Sequence, residues 1–112
     1  MLAEFLLQQK LGALKKELIA NLTAEQWFET FQYFKGRCAY CEIEGYLTQD
    51  HFIPLSNMGI YSKSNIIPAC EPCNYKKSTK DFDIWYKAYD HYSEDREKKI
   101  LEFLKGVLEE KV

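Results

Sequence analysis

The chain has 112 residues, the size of one ordinary domain with a single modest core. Apolar residues make up 46% of it and charged residues 29%, a balance typical of a folded globular protein and unlike that of a disordered one. The formal net charge of −2 argues against a protein that binds nucleic acid through its overall charge alone.

The first eighteen residues, MLAEFLLQQKLGALKKEL, alternate charged and apolar side chains, unlike the continuous apolar stretch of a signal peptide. No apolar run approaches the roughly 18 residues that a membrane-spanning helix needs. We therefore expect a cytoplasmic protein that has no membrane partner.

The first predicted helix covers about residues 2–20. Its leucines recur at steps of four, three and four residues and form one apolar stripe. The stripe consists of Leu7, Leu11, Leu14 and Leu18. It can pack on neighbouring helices or join two copies of the chain, so a monomer and a homodimer both remain open.

A second helix is predicted over about residues 24–35. Thr23 and Gln26 have the spacing of a capping box, in which each side chain satisfies the backbone N–H of the other residue. Gly36 ends this helix. The aromatic residues expected to face inward are Trp27, Phe28, Phe31 and Phe34.

Helical periodicity is lost between residues 36 and 80, where glycines and prolines separate short apolar runs at 46–53 and 65–69. These runs predict two short strands. Helical periodicity then returns over about residues 81–92, and Ser93 can cap a last helix. With no repeat or linker, we expect a single domain over residues 1–112, with helices in segments 1–35 and 81–112 around the centre.

The four cysteines form two pairs with the same spacing, in CAYC (Cys38 and Cys41) and CEPC (Cys70 and Cys73). Two such pairs can supply the tetrahedral thiolate shell that zinc prefers in structural sites. Two disulfides are the alternative, which a cytosolic setting disfavours. Residues 42–69 separate the pairs, more than the about 15–20 residues of a simple zinc ribbon, so this insert must form structure of its own.

The central segment resembles the HNH endonucleases, in particular the branch with a four-cysteine zinc site and the small stand-alone phage enzymes. The matching sequences, over about residues 36–78, are CAYC, DHFIPLS, SNIIPACEPCN and NYKK, in that order. The resemblance implies a ββα-metal fold, in which two strands and a helix hold one divalent ion. We therefore expect an α+β, mainly helical chain with a zinc-clamped ββα-metal motif between N- and C-terminal helices.

The resemblance also implies roles for individual residues. His51 would be the general base that activates water, since a histidine with its usual pKa of about 6.5 is largely neutral at neutral pH. Asp50 and Asn74 would bind a catalytic Mg²⁺ or Mn²⁺ ion, and Asn65 would brace the loop that orients His51. Asp50 and His51 are expected where the first strand ends and bends, so that both side chains turn toward one phosphate. The family often has a further ligand at the position that Ser78 occupies here.

Basic side chains are in excess in the central segment. Those expected to contact backbone phosphates are Arg37, Lys63, Lys76, Lys77 and Lys80. The sequence contains no recognisable helix-turn-helix, finger or arm that would read bases. It therefore predicts a metal-dependent endonuclease that cuts or nicks DNA with low specificity.

The alternative is a non-catalytic zinc module that binds nucleic acid or a protein partner. In that case Asp50 and His51 form a surface ion pair, Asn74 caps a helix and Asn65 holds a turn. His91 is assigned no function under either hypothesis. If a phage encodes the protein, the expected compartment is the cytoplasm of the host cell.

Overall fold

A computed structural model describes residues 22–110 of the chain. The predicted helix at residues 2–20 and its leucine stripe lie outside the described residues. The described elements, in chain order, are α1 (Ala24–Tyr33), β1 (Thr48–His51), a short 3-10 helix (Leu55–Asn57), β2 (Ile66–Ala69), α2 (Glu71–Lys77), α3 (Phe82–Lys87) and α4 (Glu94–Glu110). The expected α+β, mainly helical fold is confirmed.

The capping box at the start of α1 forms as predicted. Thr23 Oγ1 accepts a hydrogen bond from Gln26 N at 3.0 Å, and Gln26 Oε1 accepts one from Thr23 N at 3.1 Å. Phe34 is buried, but Phe28, which we expected to face inward, is 58% exposed. The reason is helical geometry: Phe28 lies two residues before the buried Thr30, about 200° away around the helix.

Strands β1 and β2 lie within the two predicted runs and pair antiparallel, from Thr48 opposite Ala69 to His51 opposite Ile66. All four residues of β2 are buried, which explains its continuous apolar sequence. The chain then turns directly into α2, whose first turn contains Pro72, a residue favoured at that position. Helix α2 contacts β1, and together these elements form the predicted ββα unit.

The aromatic residues after position 80 are core, as the sequence indicates. Phe82 and Tyr86 stack at 5.3 Å between ring centroids, Phe52 packs on Phe82 at 4.7 Å, and Tyr40 meets Trp85 edge-on at 5.0 Å. The helix predicted over about residues 81–92 is shorter than expected, because it ends at Lys87. The chain turns there, and the next helix packs on α1 through Phe103, whose ring centroid lies 4.6 Å from that of Tyr33.

Helix α4 begins after Ser93, whose hydroxyl accepts a hydrogen bond from Arg96 N at 3.3 Å, as the predicted cap requires. Its buried face contains Ile100, Leu104 and Val107. Arg96 also joins α4 to the segment before β1, since its Nε donates to the carbonyl oxygen of Tyr40 at 2.9 Å.

Within residues 22–110, no helix has the length and apolar character needed to cross a membrane.

The loop after β1 is packed so closely that glycine is required at position 59. A Cβ on Gly59 would overlap the carbonyl oxygen of Ile53 and lie 2.8 Å from Asn65 Nδ2. Gly59→Ala should therefore lower the free energy of unfolding by about 2–3 kcal/mol, measured by urea denaturation.

Gly106, inside α4, provides the matched control, because a Cβ there meets no other part of the described chain within 4 Å. Gly106→Ala should raise the free energy of unfolding by about 0.5–1 kcal/mol, since alanine favours the helix. Wild-type stability of the Gly59→Ala protein would contradict the close packing of this loop.

Candidate functional site

The four cysteine sulfur atoms converge on one point. Cys38 and Cys41 lie in the turn before β1, while Cys70 and Cys73 lie at the start of α2. All four Sγ atoms are within 4.8 Å of one another, and none of the cysteines is in a disulfide. A tetrahedral zinc ion with bonds of about 2.3 Å requires sulfur atoms about 3.8 Å apart, and Cys41 Sγ lies 3.8 Å from Cys70 Sγ. The donor set fits zinc and suggests a zinc site.

Polar groups around the cysteines favour negative charge on Cys38, whereas burial raises the pKa of Cys41 to about 11 and the hydrogen bond with Cys38 raises the pKa of Cys73. Tyr40 N donates to Cys38 Sγ at 3.4 Å, and Tyr89 Oη lies 3.1 Å from Cys73 Sγ. A hydrogen bond from the Cys73 thiol is the main cause that lowers the pKa of Cys38 to about 5. Hydrogen bonds of this kind orient metal ligands and tune their affinity.

Asp50 lies inside the ββα unit, where it is 3% exposed. Its Oδ2 accepts a hydrogen bond from Tyr40 Oη at 2.5 Å and lies 3.5 Å from Lys77 Nζ. Burial raises the pKa of the Asp50 carboxyl, and the positive charge of Lys77 opposes this shift. Among the described residues, none donates to the other oxygen, Oδ1.

His51 ends β1 and is half-buried, with its ring centroid 6.2 Å from that of Tyr61. Burial lowers the pKa of His51, and the nearby charge of Lys77 lowers it further. The imidazole is therefore neutral at neutral pH, the state in which it can accept a proton. The carbonyl oxygen of His51 accepts a hydrogen bond from Lys77 Nζ at 2.8 Å.

The side chains of Asp50 and His51 have different neighbours, contrary to the expectation that both turn the same way. Asp50 contacts Tyr40 and Lys77, whereas His51 lies beside Tyr61. The difference arises because β1 remains paired through His51, so the alternation of side chains along a strand still applies. The two residues are therefore adjacent in sequence at the end of β1, but their side chains contact different parts of the chain.

Asn65 is fully buried and holds the loop that follows His51. Its Oδ1 accepts a hydrogen bond from Ile53 N at 2.8 Å, and its Nδ2 donates to the carbonyl oxygens of Ile53 and Ile60, each at 3.0 Å. Its own carbonyl oxygen accepts a hydrogen bond from Phe52 N at 2.8 Å. Asn65 thus makes the backbone contacts that are needed to brace the loop after His51.

Asn74 lies on the side of α2 that faces β1. Its Nδ2 donates to Thr48 Oγ1 at 2.8 Å, and no described residue donates to its Oδ1. Asn74 and Thr48 line a shallow depression together with Glu71, Pro72 and Tyr75. Asp50 and Asn74 therefore both present an oxygen without a donor at the contact between β1 and α2. Ser78 follows α2 as its C-terminal cap.

The structure separates the basic residues that we expected to contact phosphate. Arg37 pairs with Glu44 at 3.1 Å and Lys63 pairs with Glu29 at 2.9 Å. Lys76 and Lys80 are exposed, and neither has an acidic partner among the described residues.

Lys77 does not belong with this group. It is 0% exposed, and its ammonium lies between Asp50 and the backbone of His51, so the expectation that it reaches a phosphate on the surface is corrected. Sequence reasoning also missed Tyr40, the other partner of Asp50. The one feature of the sequence that could have indicated that Lys77 faces β1 is its position three residues after Asn74, which places both side chains on the same side of α2.

Comparison with known proteins supports the resemblance seen in the sequence. Residues 38–80 match the family model described as HNH endonuclease. The chain is 32% identical over 103 residues to the SPbeta prophage-derived putative HNH endonuclease YoqL of Bacillus subtilis (strain 168). This alignment covers 81% of the present chain and 45% of the relative, so the chain spans about half the length of that protein.

The cysteine cluster predicts that the purified protein contains one zinc ion per chain. Cys70→Ser, or treatment with a strong chelator, should remove the ion and abolish cooperative unfolding of the ββα unit, since structural zinc contributes folding energy directly. Elemental analysis and thermal unfolding measure both effects. Adding zinc back to the chelated protein is the control and should restore the transition. A metal-free protein that unfolds cooperatively would rule out a structural zinc site.

The contact between Tyr89 and Cys73 predicts a smaller effect on the same site. Tyr89→Phe removes the hydroxyl but keeps the ring, and should weaken zinc binding about 10-fold, measured by competition with a chromogenic chelator. Tyr33→Phe, in α1, is the matched control and should leave zinc affinity unchanged. Equal affinities of the two variants would show that the Tyr89 hydroxyl does not support the site.

Proposed function

We propose that this chain, whose residues 38–80 belong to the HNH endonuclease family, is a metal-dependent endonuclease that hydrolyses phosphodiester bonds in DNA. The observation that carries the proposal is the half-buried imidazole of His51, whose lowered pKa favours its neutral form, at the end of β1 and one residue after the buried carboxylate of Asp50. A general base beside a cation site is the combination that phosphodiester hydrolysis requires.

His51 is the general base in this proposal. A phosphodiester is an anion and repels an anionic nucleophile, so the attacking water must lose its proton as it approaches. The lowered pKa of His51 keeps the ring neutral and able to take that proton. Asn65 and Lys77 both bond to the peptide group that follows His51, so the backbone from which the ring extends is held in place.

Asp50 Oδ1 and Asn74 Oδ1 are the ligands proposed for a Mg²⁺ or Mn²⁺ ion, because carboxylate and amide oxygens suit these metals. When bound, the ion supplies positive charge that stabilises the negative charge developing on the phosphate and the departing oxygen. Zinc in the cysteine cluster has a different task, which is to hold the scaffold. The two sites use different donor atoms and so select different metals.

Lys76 and Lys80 are the residues proposed to contact backbone phosphates on either side of the cut. Two exposed lysines release few counterions, so binding is expected to be modest and to weaken with salt. One site cuts one strand, which makes a nick the expected product of a monomer. A homodimer would bring two sites together and permit cleavage of both strands.

A non-catalytic zinc module remains the second candidate. It is favoured by the contacts of Asp50, whose Oδ2 is already engaged by Tyr40 and Lys77 inside the fold, as a purely structural carboxylate would be.

The similarity to a prophage-derived relative also supports a proposed setting, the cytoplasm of a bacterial host.

A plasmid assay distinguishes the two candidates. With Mg²⁺ or Mn²⁺, the zinc-bound protein should convert supercoiled plasmid to the nicked form. His51→Ala should slow this reaction by about 10²–10⁴-fold, the usual contribution of a general base. Gel electrophoresis over time measures the rates.

His91→Ala is the matched control, because His91 is exposed and is the only other histidine in the chain. It should cut at the wild-type rate. Equal cutting by His51→Ala would exclude His51 as the base, and a folded, zinc-bound wild type that does not nick with either metal would favour the binding module.

A further inference from the structure

The peptide group between His51 and Phe52 is bonded at both ends. Its carbonyl oxygen, that of His51, accepts a hydrogen bond from Lys77 Nζ at 2.8 Å. Its N–H, that of Phe52, donates to the carbonyl oxygen of Asn65 at 2.8 Å. A peptide group is planar, so two such bonds fix both its position and its rotation.

We propose that Lys77 is a positioning residue that orients the His51 imidazole through the backbone of His51. The proposal rests on the nuclease function proposed above and adds to it a residue that does not touch the substrate. The Cα of His51 belongs to the planar peptide group that Lys77 holds, so this contact fixes the point from which the side chain of His51 extends. Asn65 holds the opposite end of the same group.

The burial of Lys77 indicates that its ammonium needs defined partners inside the fold. Its side chain is 0% exposed, although lysine is almost never fully buried unless it is paired. The ammonium has two partners among the described residues, the His51 carbonyl oxygen at 2.8 Å and Asp50 Oδ2 at 3.5 Å. Asp50 offsets the charge, while the shorter bond goes to the backbone of the candidate base. A charged donor makes this bond stronger than one between neutral groups.

The position of Lys77 also connects two parts of the site. It lies one turn after Asn74 on α2, and both side chains reach β1, at Thr48 and at His51 respectively. The helix that presents the proposed metal ligand Asn74 is therefore the helix that holds the proposed base. A small movement of α2 relative to β1 would misplace both at once.

The kinetic test compares Lys77→Met with Lys77→Arg at saturating Mn²⁺, so that weaker ion binding cannot explain a loss. Lys77→Met keeps the length of the side chain but lacks the donor. Its kcat should fall about 10²-fold, the cost of a small misplacement of a catalytic group. Its KM should stay within about threefold of wild type, because Lys77 does not bind substrate. Lys77→Arg restores a charged donor and should recover part of kcat.

Ile100→Val is the control for stability alone, because it removes a methyl group from the buried face of α4. It should keep wild-type kcat at temperatures where it is folded. The proposal is overturned if Lys77→Met keeps kcat, if its KM rises while kcat holds, or if Ile100→Val loses as much activity at the same folded fraction.

A second measurement does not depend on cutting. The chain has two histidines, His51 and His91, whose imidazole signals can be followed by NMR at about pH 8.5, where a ring with the usual pKa is neutral. Lys77→Met should shift or broaden the His51 signal and leave the His91 signal unchanged. An unchanged His51 signal would overturn the proposal.

The two measurements separate the possible failures. A wild type that does not nick DNA refutes the proposed function, whereas the NMR signal of His51 still decides whether Lys77 orients that ring. If Lys77→Met does not fold, Lys77→Gln replaces it in both experiments. Its side chain is one atom shorter than that of lysine and has no positive charge, so the charged hydrogen bond to the His51 carbonyl oxygen is lost.

Discussion

The convergence of four cysteine sulfur atoms is the constraint on which the rest of this structure depends. It joins the turn before β1 to the first turn of α2, with the two strands between them. Strands of four residues and a helix of seven residues are too short to be stable alone. With both ends joined, α2 is held across β1 at a fixed position. The polar contacts between β1 and α2 therefore form at fixed positions, because the cysteine cluster sets how the two elements lie relative to each other.

Three polar contacts cross the boundary between β1 and α2. Thr48 bonds to Asn74, and Asp50 and His51 bond to Lys77. The spacings along the two elements differ, because two residues of a strand advance about 6.6 Å and three residues of a helix advance about 4.5 Å along its axis. Long side chains such as lysine cover the remaining difference. Each element therefore presents polar side chains to the other, Thr48 and Asp50 from β1 and Asn74 and Lys77 from α2.

The parts of the fold that the sequence predicted are those with local signals. The Thr23 capping box, the two strands and the cysteine pairs depend on residues close together in the chain. The role of Lys77 was not predictable, because an isolated lysine beside Lys76 is typical of a surface and its partners lie in a distant strand. The early end of α3 at Lys87 was missed for a similar reason, since the aromatic pattern continues through a turn in which Tyr89 reaches Cys73.

The pairing of Asp50 with Lys77 has a further consequence for the proposed metal site. One carboxylate already faces one ammonium at 3.5 Å inside the fold, so its charge is largely neutralised before any divalent ion arrives. In a buried setting, like charges repel more strongly than in water, and the ammonium therefore disfavours a second cation. A substrate phosphate brings the negative charge that balances both. In the proposed mechanism, the buried lysine that holds the backbone of His51 would thus make tight binding of the metal depend on the presence of a substrate phosphate.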